Sequence, residues 1–282
     1  MDLTLYNFPL SPCGEKVRLA LAEKGATYRE ISIDLGRKEN LTPEFLRMSP
    51  KGYVPVLVAG ADVVRESTVI IEYLDDLLPD PPLRPPSPAE RSRMRLWTKL
   101  VDETLHPAWP GLAWPILVRP RWLAQGDAAV ERMLNQLPDP ARRERQRRLY
   151  RLGTEAPDSA DTMRVFDAVI DDMEEALAAG PWLAGSAFSL ADIAVLPYLF
   201  VVDVFGMRDR FESRAPRVAD WYARADARLA WGGSLRSLYP AALLAEVGRL
   251  SVEARLRIAS GAAPDAGAGQ VPRPESAAGR AH

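Results

Sequence analysis

The chain has 282 residues, 47% of them apolar and 26% charged, with a formal net charge of −2. That balance suits a globular protein with a real core and gives no global pull toward nucleic acid or an anionic membrane. One cysteine, Cys13, excludes an internal disulfide. Two histidines, His106 and His282, leave no His/Cys set for a metal.

The first elements come in quick alternation. Leu3 to Phe8 alternates like a short strand, and Ser11-Pro12 is an N-cap followed by proline at the first helical position. The helix through Val17, Leu19, Ala20 and Leu21 is expected to stop at Gly25. Tyr28 to Leu35 reads as a strand and Pro43 to Met48 as a short helix. Val54–Val58 and Asp62–Arg65 form a hairpin around Ala59-Gly60-Ala61. Glu66 to Leu78 is amphipathic, with a predicted stripe of Val69, Ile70, Tyr73, Leu74 and Leu77.

This order predicts an α/β thioredoxin-like domain with a mixed four-stranded sheet over residues 1–78. Six prolines within 79–88 read as a stiff linker. From 89 to 258 the pattern is all-helical, with helices at 89–106, 142–153, 161–179, 189–205, 216–229 and 238–258. Residues 259–282, rich in Gly, Ala and Pro, have the composition of a disordered tail. No run of eighteen apolar residues occurs, and Met1 to Leu5 lacks the basic and apolar segments of a secretory leader, so the expected location is cytoplasmic, off the membrane.

Three short motifs can carry chemistry. Ser11 stands where unpaired N–H groups and the helix dipole stabilise an anion such as a thiolate. A bare helix cap is its structural alternative. Val54-Pro55 opens a strand. A cis bond there would free the Val54 N–H and C=O to pair with an extended peptide. Glu66 and Ser67, at the start of the last helix of this domain, could receive an ammonium and a carboxylate. Together the three suit a tripeptide with an amino-acid head, an extended middle and a reactive thiol.

In these motifs the chain resembles the cytosolic glutathione S-transferase superfamily, over residues 1–258. Pro181 to Ala194, with its Ser189-x-x-Asp192 capping box, resembles that family's second-domain signature. The resemblance implies glutathione as co-substrate and Ser11 as the thiol-activating residue, with Cys13 as rival. It also implies glutathione binding by Tyr53, Val54, Pro55, Glu66 and Ser67, no metal, and a homodimer. Ser11-Pro12-x-x-Glu15-Lys16-Val17-Arg18 is similar to the omega and zeta classes. Serine at position 11, where omega members carry cysteine, removes mixed-disulfide chemistry there. Cys13 is expected to face the helix–sheet packing.

The segments around 64–74 and 94–103 are similar to bacterial glutathione-dependent β-aryl-ether-cleaving enzymes. The implied reaction is attack of the glutathione thiolate on a hydrophobic, aromatic electrophile. Ether cleavage is the alternative and a non-catalytic adaptor the second. Phe8, Trp109 and Trp114 are candidate walls of the electrophile pocket, or else core packing. Arg37, Lys38 and Lys51 are candidates for the glycyl carboxylate. The arginine run at 142, 143, 145, 147, 148 and 151 reads as a solvated helix face rather than a phosphate patch.

Overall fold

A computed structural model describes residues 2–9, 11–137, 139–232 and 234–260. Strands β1 (Leu3–Asn7), β2 (Arg29–Ser32), β3 (Val56–Ala59) and β4 (Asp62–Arg65) form one sheet in the order β2-β1-β3-β4. β1 is parallel to β2, pairing Leu5 with Glu30, and antiparallel to β3, pairing Leu5 with Leu57. Leu3 and Leu5 face the core as the alternation predicts, but β1 is the inner strand between β2 and β3 and is buried on both sides, Thr4 and Asn7 included.

Helix α1 (Pro12–Glu23) starts where expected. Ser11 caps it by accepting the Gly14 N–H at 3.4 Å, and Gly25 ends it at φ 59. α1 packs on α3 (Ser67–Leu77) and also on a helix of the second domain, so it is buried nearly all round. Val17, Leu19, Ala20 and Leu21 are fully buried. Burial of a Val or Leu side chain contributes roughly 1.5–3 kcal/mol. The short helix α2 is Pro43–Met48.

The stripe of α3 differs from the one expected. Ile70, Ile71 and Leu74 are fully buried, whereas Val69 is 55% exposed and borders the interdomain cavity. A continuous Val69-Ile70-Ile71 run offers more than one apolar face, and tertiary packing selected the one centred on Ile71.

The proline-rich segment, read as a stiff linker, is held to both domains by hydrogen bonds. Asp75 of α3 accepts from Lys24 Nζ at 2.5 Å, from the Leu83 N–H at 2.7 Å and from Arg84 Nε at 2.7 Å. Leu83 O in turn accepts from the Leu190 N–H of the second domain at 3.0 Å.

The second domain comprises α4 (Pro88–Leu100), α5 (Asp127–Asn135), α6 (Pro140–Leu152), α7 (Pro157–Ala176), α8 (Leu190–Val204), α9 (Pro216–Asp226) and α10 (Ala241–Ser260). α8 is its central element, and the Ser189/Asp192 capping box is formed. Asp192 also accepts from Leu183 N and Trp221 Nε1.

Between α4 and α5, where the sequence reading placed no helix beyond 106, the chain is helical. A π-helical turn at Val101–Leu105 is followed by helical steps His106–Ala108 and Pro110–Ala113, a second π turn at Trp114–Val118, and Arg119–Leu123. Prolines 107, 110, 115 and 120 each stand at the start of a step, where the missing N–H costs least, and the ladder re-registers around them. Residues 259–260, assigned to the tail, close α10, and the rest of that expected tail lies outside the described residues. No helix among the described residues is long and apolar enough to cross a membrane.

Candidate active site

A cavity of about 1210 Å³ lies between the two domains. Its sheet-domain wall is made by three chain segments. The first is the start of α1, with Ser11 and Cys13. Since the Ser11 oxygen is used as acceptor by the cap, its own hydroxyl proton remains available to an anion in the cavity.

The second segment is the loop before β3. Ser49 Oγ donates to Tyr53 O at 2.9 Å and accepts the Tyr53 N–H at 3.0 Å, while Asn40 Nδ2 donates to Gly52 O at 2.8 Å. Gly52 sits at φ 63, where a Cβ would stand 2.9 Å from Leu41 and 3.0 Å from Asn40 O. The Val54–Pro55 bond is cis. Among the described residues neither the N–H nor the C=O of Val54 has a protein partner.

The third segment is the entry to α3. Glu66 has φ 62, a conformation unfavourable for a residue with a Cβ. Its carboxylate lies 3.7 Å from Lys51 Nζ, and buried Ser67 begins the helix. The helix opens with no acidic side chain within its first turn, leaving its N–H groups for a bound anion.

The opposite wall belongs to the helical domain and supplies what the sequence did not disclose. His106 follows the first π turn and meets Cys13, whose Sγ is 3.5 Å from Nδ1 and 3.6 Å from Nε2. Tyr198 of α8, fully buried, has its hydroxyl 2.9 Å from His106 Nδ1. Burial first, and then the neighbouring Cys13 charge, hold that phenol well above its ordinary value, so Tyr198 keeps its proton while paired with Nδ1. Fully buried Lys16 donates to Asp102 and Thr68, each at 3.4 Å, and Thr68 donates to Asp102 at 2.8 Å.

These neighbours decide the state of Cys13. Burial pushes its thiol up, but the Lys16 charge, contact with His106 and a hydrogen bond from Ser67 outweigh burial and bring it down to about 6. Cys13 therefore does not pack inertly between helix and sheet, as expected for a lone cysteine. It is a half-buried thiolate on the cavity wall.

Tyr53 borders the cavity, and Trp109 and Trp114 line it from the helical side. Trp109 is mostly core, stacked on Phe205 with centroids 6.0 Å apart, whereas Trp114 abuts Trp122 edge-on at 4.6 Å. Phe8 is not on the cavity wall. It opens the turn closed by the Ser11 N–H to Phe8 O bond at 3.1 Å. Of the three basic candidates near the loop, Lys51 lines the cavity and Arg37 and Lys38 do not. Among the described residues no group of three or more acidic, histidine or cysteine side chains is arranged to hold a metal.

Residues 5–82 match the family of the glutathione S-transferase N-terminal domain, and residues 117–224 that of its C-terminal domain. Protein LigF of Sphingobium sp. (strain NBRC 103272 / SYK-6) is 32% identical over 196 residues, 68% of this chain and 76% of LigF. The chain belongs to the glutathione S-transferase family. The crystal structure of beta-etherase LigF superposes with a TM-score of 0.71 at 29% identity, covering 82% of this chain and 97% of that one. Another member of the family, glutathione S-transferase 3 of Zea mays, is 30% identical over 240 residues, 81% of this chain and 91% of its own. FtsZ-localized protein A of Caulobacter vibrioides is 29% identical over 247 residues, 85% of this chain and 93% of its own.

Proposed function

We propose that this glutathione S-transferase activates glutathione as a thiolate at Ser11 and delivers it to an apolar, aromatic electrophile in the interdomain cavity. One observation carries the reading: a hydroxyl at a helix start, an unpaired Val54 peptide and the strained Glu66-Ser67 helix entry all border the same cavity. The γ-glutamyl carboxylate is received by Ser67 and the first N–H groups of α3, and its ammonium by Glu66. The cysteinyl backbone pairs with Val54, and Lys51 lies within reach of the glycyl end. The Ser11 hydroxyl then donates to the sulfur. A thiolate stabilised by about 2–3 pKa units gains about 3–4 kcal/mol over the free thiol.

The sulfur attacks an electrophilic carbon held against Trp114, Pro110 and Leu149. The new C–S bond forms as the bond to the leaving group breaks, and the leaving group departs with the electron pair. Lys16, fully buried beside the start of α1, sets a positive field there, and His106 presents a polar ring at the cavity wall.

Similarity to LigF favours a second reading, in which the leaving group is an aryloxide and the net reaction is cleavage of a β-aryl ether. A homodimer is proposed on family grounds and is checked by light scattering. The central test is calorimetry with glutathione, followed by a turnover screen of electrophiles including β-aryl ethers, with products identified by mass. Heat with glutathione and a thioether product support the reading. Retention of glutathione without any turnover supports the adaptor alternative instead, and no heat with glutathione removes both.

A further inference from the structure

Six arginines stand on α6 or its last turn, and five of them are used by the fold. Arg145 and Arg148 share Asp158, at 3.1 and 2.6 Å. Arg147 and Arg151 share Glu131, at 3.0 and 3.3 Å. Arg143 donates to Leu137 O at 2.8 Å. Arg142 is different. Among the described residues its guanidinium has no carboxylate and no carbonyl acceptor, and its Cζ lies over the ring of Tyr53, 5.7 Å from the centroid.

That contact spans the cavity, because Tyr53 belongs to the loop before β3 and Arg142 to the helical domain, and both residues line the space between. The other charges there have assigned places. Lys51 stands in an exposed pair with Glu66 at 3.7 Å, within reach of the glycyl end of glutathione, Asp102 is held by Lys16 and Thr68, and Arg145 is paired with Asp158, which it shares with Arg148. Arg65, exposed on the sheet side, is the other lining cation with no acidic partner among the described residues. The helical domain's share of the lining includes apolar Pro110, Trp114 and Leu149. A planar guanidinium resting on an aromatic face keeps its N–H edge free, and that edge matches a carboxylate in two parallel hydrogen bonds.

We propose that Arg142 is a carboxylate-binding residue of the second-substrate site, so that this chain selects aromatic electrophiles bearing a carboxylate on the side away from the reacting carbon. The inference rests on the reading that the cavity takes glutathione and an apolar electrophile. The two carboxylates of glutathione have other receivers: the start of α3 for one and Lys51 for the other.

The test uses the full chain and two conjugates that fill both halves of the cavity, S-benzylglutathione and S-(4-carboxybenzyl)glutathione. Binding is read from calorimetry and from the change in tryptophan fluorescence, to which Trp109 and Trp114 contribute from the cavity wall. The carboxylated conjugate is expected to bind about five- to tenfold more tightly, the range for a partly exposed charge-assisted pair, and added salt reduces the gain. Arg142→Gln abolishes the difference and leaves S-benzylglutathione unchanged. Arg142→Lys keeps only part of it, since the bidentate fork is lost.

Equal affinities of the two conjugates for the native chain overturn the inference while leaving the glutathione reading intact. A loss on Arg142→Gln that is equal for both conjugates also overturns it, because Arg142 then serves a carboxylate of glutathione itself. If neither conjugate nor glutathione binds, both readings fall. Circular dichroism of each variant confirms that the exposed substitution leaves the helices in place.

Discussion

Cys13 Sγ is nearly equidistant from the two ring nitrogens of His106, 3.5 Å from Nδ1 and 3.6 Å from Nε2. A sulfur so placed stands over the imidazole and is not in line with a single N–H. Their attraction is therefore chiefly that of an anion for a polar or charged ring, and it needs both domains to exist. The Tyr198 hydroxyl, 2.9 Å from Nδ1, fixes the ring in that position.

The first consequence concerns pH. With a folded-state value of about 6 against an ordinary 9.0, Cys13 is deprotonated in the native protein where the unfolded chain still holds the proton. Between those values the unfolded state binds more protons, so stability rises with pH across the window and the gain is lost as pH falls through 6. Alkylation by iodoacetamide is expected to reach half its limiting rate near pH 6. Lys16→Met removes the largest favourable charge and moves that midpoint upward. A midpoint at the ordinary thiol value in the native chain contradicts the assignment.

Ser11 and Cys13 are separated by comparing two variants. Ser11→Ala is expected to cut kcat/KM with glutathione at least about tenfold and to move the acid limb of the pH–rate profile upward, because the bound thiol loses its donor. Loss of the cap costs roughly 1 kcal/mol of stability, read independently by urea unfolding. Cys13→Ser leaves that limb in place. Reversal of the two results transfers the activating role to Cys13.

Ser67→Ala should act on binding. In the proposed binding mode its hydroxyl and the helix start receive the head of glutathione, and loss of one charge-assisted hydrogen bond corresponds to about 1.5–3 kcal/mol, or at least about tenfold in KM. The value of kcat should stay nearly constant, since the interaction is made equally before and during attack. A fall in kcat at constant KM argues against this role.

Asp75 offers a stability test away from the chemistry. Burial raises its carboxyl, but the hydrogen bond from Lys24, with those of the Leu83 N–H and Arg84, prevails and holds it below its ordinary 3.8. Its contribution is therefore complete above that ordinary value and declines as pH falls through the lower folded value. Asp75→Asn leaves buried Lys24 without its counter-charge and should cost roughly 3–5 kcal/mol. Urea midpoints measured at neutral pH check the size, and a change below about 1 kcal/mol is inconsistent with the buried network.

The sheet domain was legible because its signals are local: the alternation of β1, Ser11-Pro12 at a helix start, Gly25 at its end, and a two-strand hairpin. The motifs at 11, 54–55 and 66–67 could be read for the same reason. Cys13, His106 and Tyr198 could not be assembled that way. Cys13 lies 93 positions from His106, and Tyr198 sits inside a helix whose apolar sequence announces only burial. The one signal available was that His106 is the single histidine inside the chain. Lys16 was hidden as an ordinary cation in an amphipathic stretch, although it is fully buried. From 107 to 123 successive prolines begin successive helical steps, so no single helical period runs through that segment to be read.

The π turn at Val101–Leu105 carries one residue more than an α-helical turn would. Each residue advances an α-helix by about 100°, so that surplus sets the azimuth of everything downstream. Excising a single position there would swing the imidazole off the sulfur and bring a neighbouring side chain round in its place. A length change of one residue is thus a larger step in the chemistry of this cleft than most substitutions within it.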